Sequence, residues 1–209
     1  MRILVAGASG RVGTMLTNKL AALGHEVFAG TRHVDDLFDE GVQIVDLDLT
    51  LSQTEINKLI DSLNLDAIYF TAGSRGKNLL AVDAFGAVKL INAAEVYDIK
   101  RFIMLSALNA TQPDLWTGEL NDYYIAKFFA DKWLMDEVDL NYTILQPAGI
   151  TDEEETDLVS LGQTTSKNNS AANIAETLSK LLEAPNAIKK VIKMSDGITP
   201  VEQAISNLV

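Results

Sequence analysis

The chain has no cysteine and only two histidines. The first absence removes disulfides and thiol catalysis. Together they argue against a zinc centre, so no metal is expected. Long apolar runs are missing too, and no stretch is long enough to span a bilayer. Met1-Arg2 leads straight into a short apolar segment and a glycine turn, which does not read as a signal peptide, and a cytoplasmic location is the expectation. Positive charge is scarce: 17 Lys and Arg against 29 Asp and Glu leave a formal charge of −12. Such a surface repels nucleic acid and anionic membranes, so neither is expected as a partner. It does not prevent a local basic pocket from holding phosphate, which is why Arg11 and Arg32 matter. Internal repeats and low-complexity segments are absent. The 209 residues suit one α/β domain, 1–209, with a large core.

What is present begins at the first residues. Arg2 to Ala6 is apolar and suits a strand buried on both faces. Glycines follow at 7, 10 and 13. From Arg11 the spacing turns helical, with Val12, Leu16, Leu20 and Leu23 on one stripe and Gly24 as the cap. Strand, glycine turn and helix form the context of a dinucleotide-binding fingerprint. Gly7 permits the tight turn, Gly10 lets the backbone approach a pyrophosphate, and Gly13 lets the helix pack closely on the sheet. Ser9, Arg11 and Val12 lie in the same turn. The free N–H groups of the helix start are suited to phosphate.

His25 to Thr31 reads as a second strand. An Asp or Glu at its end would hydrogen-bond the ribose 2′-hydroxyl of NAD. Thr31 and Arg32 stand there instead, and guanidinium suits phosphate oxygens, so Arg32 with Arg11 favours NADP(H), with NAD the alternative. Val42 to Asp46 is a third strand. Asp46, followed by Leu47, either accepts from the adenine amine or marks a turn. Ser52 to Leu63 is a helix with a capping box, Ser52 to Glu55, and Ile56, Leu59, Ile60 and Leu63 facing inward. Asp66 to Thr71 is a fourth strand, after which Ala72 and Gly73 let the chain pass close to a cofactor ribose. Leu79 to Ile99 is a long helix with Val82, Phe85, Val88, Leu90, Ile91 and Ala94 inward. Asp83 on it faces the site or solvent, and solvent is favoured.

Arg101 to Leu105 is a fifth strand ending at Ser106. Asn121 to Val138 is a helix capped by Asn121 or Asp122, and Tyr142 to Leu145 a sixth strand closed by Gln146-Pro147. Strands alternating with helices imply a doubly wound parallel sheet. Beyond Pro147 the character changes. Residues 152–157 hold five acids in six positions, read as a solvated loop or, more sharply, as the edge of the substrate mouth. Leu158 to Ser170 is polar and poor in core residues. Ala171 to Leu182 is a helix, Ala187 to Met194 a strand and Pro200 to Leu208 a last helix. Segments 148–170 and 185–209 are expected to form a small C-terminal substrate lobe over the strand ends.

Three features suggest a reaction centre. Ser106 ends a strand, and Tyr123 and Lys127 share one helix face at i, i+4. A phenol titrates near pH 10, and a neighbouring ammonium favours its ionised form. Tyr123 can then exchange a proton with a carbonyl or alcohol oxygen that Ser106 also bonds, while Lys127 holds ribose hydroxyls. Tyr124, at i−3 from Lys127, competes for the role. The paired alternative is that both tyrosines are partly buried helix aromatics.

Five segments carry a resemblance. Gly7-Ala-Ser-Gly-Arg-Val-Gly13, Thr31-Arg32, Leu105-Ser106-Ala107, Tyr123-Tyr-Ile-Ala-Lys127 and Tyr142-Thr-Ile-Leu-Gln-Pro147 together resemble the short-chain dehydrogenase/reductase superfamily. The branch is the atypical one, with NmrA-like and epimerase/dehydratase-like NAD(P)-binding proteins. The resemblance implies a Rossmann-type α/β fold and NADP(H) across the strand ends. It implies Ser106, Tyr123 and Lys127 as triad positions, and Pro147 to Ile150, Gly149 included, along the nicotinamide side. Asn173 to Ala175 departs from the branch's Arg-x-Asp-x-Ala type motif, so a charge pair is missing there. The short substrate lobe argues against a sugar-nucleotide substrate.

The expected function is an NADP(H)-dependent oxidoreductase acting on a small carbonyl or alcohol. The alternatives are a non-catalytic NADP(H)-binding redox sensor, or a reductase of the flavin or tetrapyrrole type that needs no tyrosine acid. A small-molecule substrate is the expected partner, and monomer and homodimer both remain open. Replacing Arg32 with Glu should lower the NADPH/NADH affinity ratio about tenfold or more, the loss expected for one charge-assisted hydrogen bond. An unchanged ratio in fluorescence titrations would remove the 2′-phosphate assignment.

Overall fold

The computed structural model describes residues 1–32, 38–116 and 118–208. Val209, the last residue of the expected lobe, lies outside them. Eleven strands are described: β1 (Arg2–Ala6), β2 (Glu26–Thr31), β3 (Gln43–Asp46), β4 (Ala67–Phe70), β5 (Arg101–Leu105), β6 (Asn141–Pro147), β7 (Gly149–Thr151), β8 (Leu158–Leu161), β9 (Asn168–Ser170), β10 (Lys190–Asp196) and β11 (Thr199–Pro200). The helices are α1 (Arg11–Ala22), α2 (Gln53–Leu63), α3 (Phe85–Val96), α4 (Asn121–Asp136), α5 (Ala171–Leu181) and α6 (Val201–Ser206). The main sheet runs β11-β8-β10-β6-β5-β4-β1-β2-β3. From β3 through β10 every pairing is parallel. The order reverses between β1 and β4, where ligands bind in open sheets of this Rossmann type.

Strand alternation divides the core. Ile3 and Val5 of β1 face the side covered by α1 and α5, with Leu16, Leu20, Ile174 and Leu178. Leu4 and Ala6 face the other side, with Ile56, Ile60, Leu90, Ile91 and Leu134 of α2, α3 and α4. Burial on both faces explains why β1 reads as a continuous apolar run. Each fully buried Leu or Ile contributes roughly 1.5–3 kcal/mol. Arg101, buried at the start of β5, has no carboxylate partner among the described residues. It donates instead to the carbonyls of Leu181, Leu182 and Asn141. The first two are end-of-helix carbonyls that α5 leaves unpaired, and their partial negative charge suits a cation.

Several local expectations are corrected. Leu23 falls outside the α1 stripe and is exposed, because Gly24 turns the chain away with φ +85°. The helix expected from Leu79 begins as a π turn, Leu79–Ala84. Its extra residue per turn rotates the following register, so Phe85 points outward while Gly86 and Ala87 pack inward. No side chain caps α4: its N-cap position is Leu120, so neither Asn121 nor Asp122 serves. Segment 158–170 has more structure than its polarity suggests. Val159 is fully buried, β8 pairs antiparallel with β10, and β9 pairs with β7. The tail thus extends the far edge of the main sheet, with β7 and β9 beside it. Asn173 replaces the missing charge pair with a buried amide. It donates to Asp196 at 2.8 Å and accepts the N–H groups of Thr156 and Asp157.

The capping box of α2 is present in both directions, Ser52 to the Glu55 N–H and Glu55 back to the Ser52 N–H. Ser52→Ala should lower stability by about 1 kcal/mol. A shifted urea midpoint with an unchanged slope is the expected reading. No shift would mean that tertiary packing alone holds this helix end.

Candidate functional site

The close approach of the first turn is steric. A Cβ on Gly7 would lie 2.5 Å from the backbone of Ala72, and one on Gly13 would lie 2.2 Å from the Gly7 carbonyl oxygen. Gly7 also has φ +88°. Gly10 caps α1 without a side chain, and the first turn of the helix carries no acid. The N–H groups of Arg11, Val12 and Gly13 have no carbonyl within the helix to reach. An uncapped, side-chain-free helix start is a cradle of the right chemistry for phosphate, and the donor set fits a pyrophosphate.

A groove of about 680 Å³ opens over this turn and the carboxyl ends of the central strands. Gly7, Ser9, Gly10, Arg11, Val12, Arg32, Leu47, Ala72 and Gly73 line it at one end, and Ser106, Tyr123 and Lys127 at the other. Gly13 lies beneath it as a packing residue. Asp46 is exposed and outside the lining. The reason is that β3 ends at Asp46 and the chain bends into an Asx turn, in which Asp48 accepts from Thr50 N–H and hydroxyl at 2.8 and 2.7 Å. Asp48 reaches the groove instead, and those two bonds, with Arg32 nearby, hold its carboxyl below the usual range. Pro147 and Gly149 do not line the groove either. Pro147 accepts the Leu108 N–H and Gly149 pairs with Lys167, which leaves Ile150 as the contributor from that segment.

Arg32 is exposed on the groove wall. Thr31, at the end of β2, is buried and donates to Ser9 at 2.9 Å, so it stiffens the glycine turn. Arg11 pairs with Asp152 at 3.0 Å. Lys19, two turns further along α1, pairs with Glu155 and Glu176. The acidic run is exposed throughout, and two of its acids, Asp152 and Glu155, reach back to α1, with Asp152 beside the phosphate turn.

Asp83 was expected at the surface and is fully buried on the groove wall. The π turn carries it inward, where one carboxylate oxygen accepts Ser74 N–H at 2.9 Å and the other has no partner. Arg75, in a left-handed conformation at φ +53°, and Lys77 line the same wall. The signal that would have found these residues was the polar stretch 73–78 after β4, placed at the sheet's switch point.

At the far end, Lys127 is buried and donates to the Leu105 carbonyl at 3.3 Å. Its ammonium lies over the rings of Tyr123 and Phe70, 5.8 and 5.7 Å from their centroids. Tyr123 is half-buried at the groove. Tyr124 stacks on Trp116 with centroids 5.8 Å apart and does not line the groove, and burial pushes its phenol up. Ser106 is buried and donates to Asp131 at 2.8 Å, and Gln146 donates to the same oxygen at 3.0 Å. Burial raises Asp131 from 3.8 to about 6, against the opposing pull of the two hydrogen bonds and Lys127. Asp131 and Gln146 are site residues the sequence reading did not single out.

The groove, the glycine turn and the sheet order are those of an NAD(P)-binding, oxidoreductase-like fold. Residues 7–185 match the NAD(P)H-binding family model, and the chain belongs to that family. It is 34% identical, over the whole of both chains, to the uncharacterized sugar epimerase YhfK of Bacillus subtilis. Among solved structures it is similar to the oxidoreductase ylbE from Lactococcus lactis, with 39% identity, a TM-score of 0.92, and 100% and 96% of the two chains covered. A putative NAD-dependent epimerase/dehydratase from Bacillus halodurans is 30% identical with a TM-score of 0.90, and both chains are covered in full. No helix among the described residues is long and apolar enough to cross a membrane.

Asp131 makes stability depend on pH. The folded state holds its proton more tightly than the unfolded state, so its contribution is most favourable below pH 3.8 and is lost as pH rises through about 6. The full penalty is about 3 kcal/mol. Urea denaturation should show Asp131→Asn gaining on the wild type by up to that amount between pH 4 and pH 8. A gap that stays constant with pH would contradict the burial argument.

Proposed function

We propose that the protein is an NADP(H)-dependent oxidoreductase for a small carbonyl or alcohol substrate, with Tyr123 as general acid and base. The observation that carries this reading is the buried Lys127 ammonium over the Tyr123 ring at the open end of the groove. When bound, the nicotinamide supplies or accepts hydride. The chain's own residues do the rest. The N–H groups after Gly10 hold the pyrophosphate, and Arg32 with Arg11 meets the 2′-phosphate. Engaging Arg11 means displacing or sharing Asp152, an exposed pair that holds it by no more than about 1 kcal/mol.

Tyr123 gives its proton to the substrate oxygen during reduction and takes it back during oxidation. Lys127 stabilises the negative charge left on the phenol oxygen, and its bond to the Leu105 carbonyl fixes the ammonium at this end of the groove, 5.8 Å from the Tyr123 ring centroid. The low-dielectric surroundings strengthen that interaction. Asp48, on the groove wall and hydrogen-bonded to Thr50, would accept from the adenine amine, one of the two roles open to Asp46 from the sequence. The short β7–β9 region offers little surface for a sugar nucleotide, which favours a smaller substrate.

Tyr123→Phe should reduce turnover of a carbonyl substrate about 10²–10⁴-fold and leave NADPH affinity unchanged. Near-normal turnover, with cofactor binding intact, would exclude tyrosine acid catalysis and favour a sensor or a flavin-type reductase.

A further inference from the structure

Ser106 has one hydroxyl proton, and Asp131 receives it at 2.8 Å. The serine therefore meets the groove with lone pairs alone. A carbonyl oxygen needs a donor, so this arrangement does not suit carbonyl binding. It does suit a substrate hydroxyl, which brings its own proton. The polarity of Ser106 is thus decided one residue behind it.

Asp131 stands one turn after Lys127 and two after Tyr123 on α4. Its carboxylate is fully buried, with Oδ2 shared between Ser106 and Gln146 and Oδ1 without a partner. The surroundings supply little charge. Lys127 is the cation on its own helix, the end of β5 brings the neutral Ser106, and β6 brings the neutral Gln146, itself bonded to Thr111. The π turn packed against α4 brings Asp83, which accepts the Ser74 N–H through one carboxylate oxygen and has no partner for the other. A carboxylate so placed has two neutral hydrogen-bond donors and no direct ion pair among the described residues.

We propose that Asp131 is a positioning residue that sets whether Ser106 accepts from or donates to the substrate, and so selects alcohol or carbonyl. As a carboxylate it takes the Ser106 proton, and the serine oxygen accepts from an alcohol. As a carboxylic acid it donates its Oδ2–H to Ser106, and the serine proton turns into the groove towards a carbonyl oxygen. No bond is made or broken in this reorientation. The change is one proton on Asp131, and the reaction's proton still passes through Tyr123. Burial holds the change near pH 6, within reach of both states. This inference rests on the oxidoreductase reading above.

The test uses the intact protein with NADPH and 9,10-phenanthrenequinone as carbonyl probe. The KM for the quinone should rise several-fold as pH increases through about 6. Asp131→Asn, which has no proton to gain or lose in this range, should hold KM flat with pH. A flat wild-type profile, or an Asn variant that keeps the wild-type profile, overturns the proposal. A purely structural Asp131 would alter kcat or folding and leave the KM profile in place.

Infrared titration of the protein without substrate separates this from failure of the enzymatic reading. A protonated-carboxyl band should appear below about pH 6 and be absent in Asp131→Asn. In Ser106→Ala the same band should move to higher wavenumber, because the acid has lost its acceptor. If the quinone is not reduced, this measurement alone decides. A band that does not move in Ser106→Ala overturns the proposal, and one that moves supports it whatever the true substrate is.

Discussion

Everything at the site depends on one close approach. The carboxyl ends of β1 and β4 and the start of α1 meet where Gly7 packs on Ala72 and Gly13 on the Gly7 carbonyl, with no room for a Cβ on either glycine. That contact sets the distance between helix start and sheet. It leaves the first N–H groups of α1 facing the groove with nothing local to satisfy them. It also fixes where β2 ends, since the Gly30 carbonyl accepts from both Gly7 and Ala8 N–H. Arg32 and the Ser106–Tyr123–Lys127 end of the groove are placed from there outward. A larger residue at Gly7 or Gly13 would shift the frame on which both ends of the groove are measured.

The second constraint concerns buried charge. Arg101, Lys89 and Lys127 are all buried, and each is compensated by backbone carbonyls rather than by a carboxylate. Carbonyls at helix and strand ends supply partial negative charge without a second ion to desolvate. For Lys127 the consequence bears on the proposed role of Tyr123. An ammonium tied to a carbonyl keeps its net charge available to Tyr123, whereas a carboxylate partner would neutralise it. Asp131 is the mirror case, an anion held by neutral donors, and its protonation is correspondingly easy to change. The exposed acidic run behaves differently. Its Arg11–Asp152 pair lies in water and binds weakly, whereas Lys19 is held between Glu155 and the part-buried Glu176.

Most of the frame was legible from periodicity. β1, β5, the capping box of α2 and the helix α5 were readable because local spacing and burial agree in them. The misreadings share a cause. Phe85 and Asp83 were assigned by a 3.6-residue period that the π turn interrupts, and nothing in Leu79 to Ala84 announces that interruption. Leu158 to Ser170 was discounted because its residues are polar. Asn169, Ser170 and Ser195 are nonetheless buried, with their hydrogen bonds met by partners up to thirty residues away. Pattern reading treats polar as exposed, and it cannot see a partner that folding delivers.

By itself the sequence determined the glycine turn, the Thr31-Arg32 end of the second strand and the spacing of Tyr123 and Lys127. All are local, since a turn's sterics and an i, i+4 pair need no distant contact. Tertiary structure alone decided that Asp48 rather than Asp46 reaches the groove, that Asp152 sits on Arg11, and that Ser106 meets Asp131. Each of these joins segments far apart in the chain or depends on where a strand ends. Their energies come from burial and hydrogen bonding that exist only once the sheet is assembled.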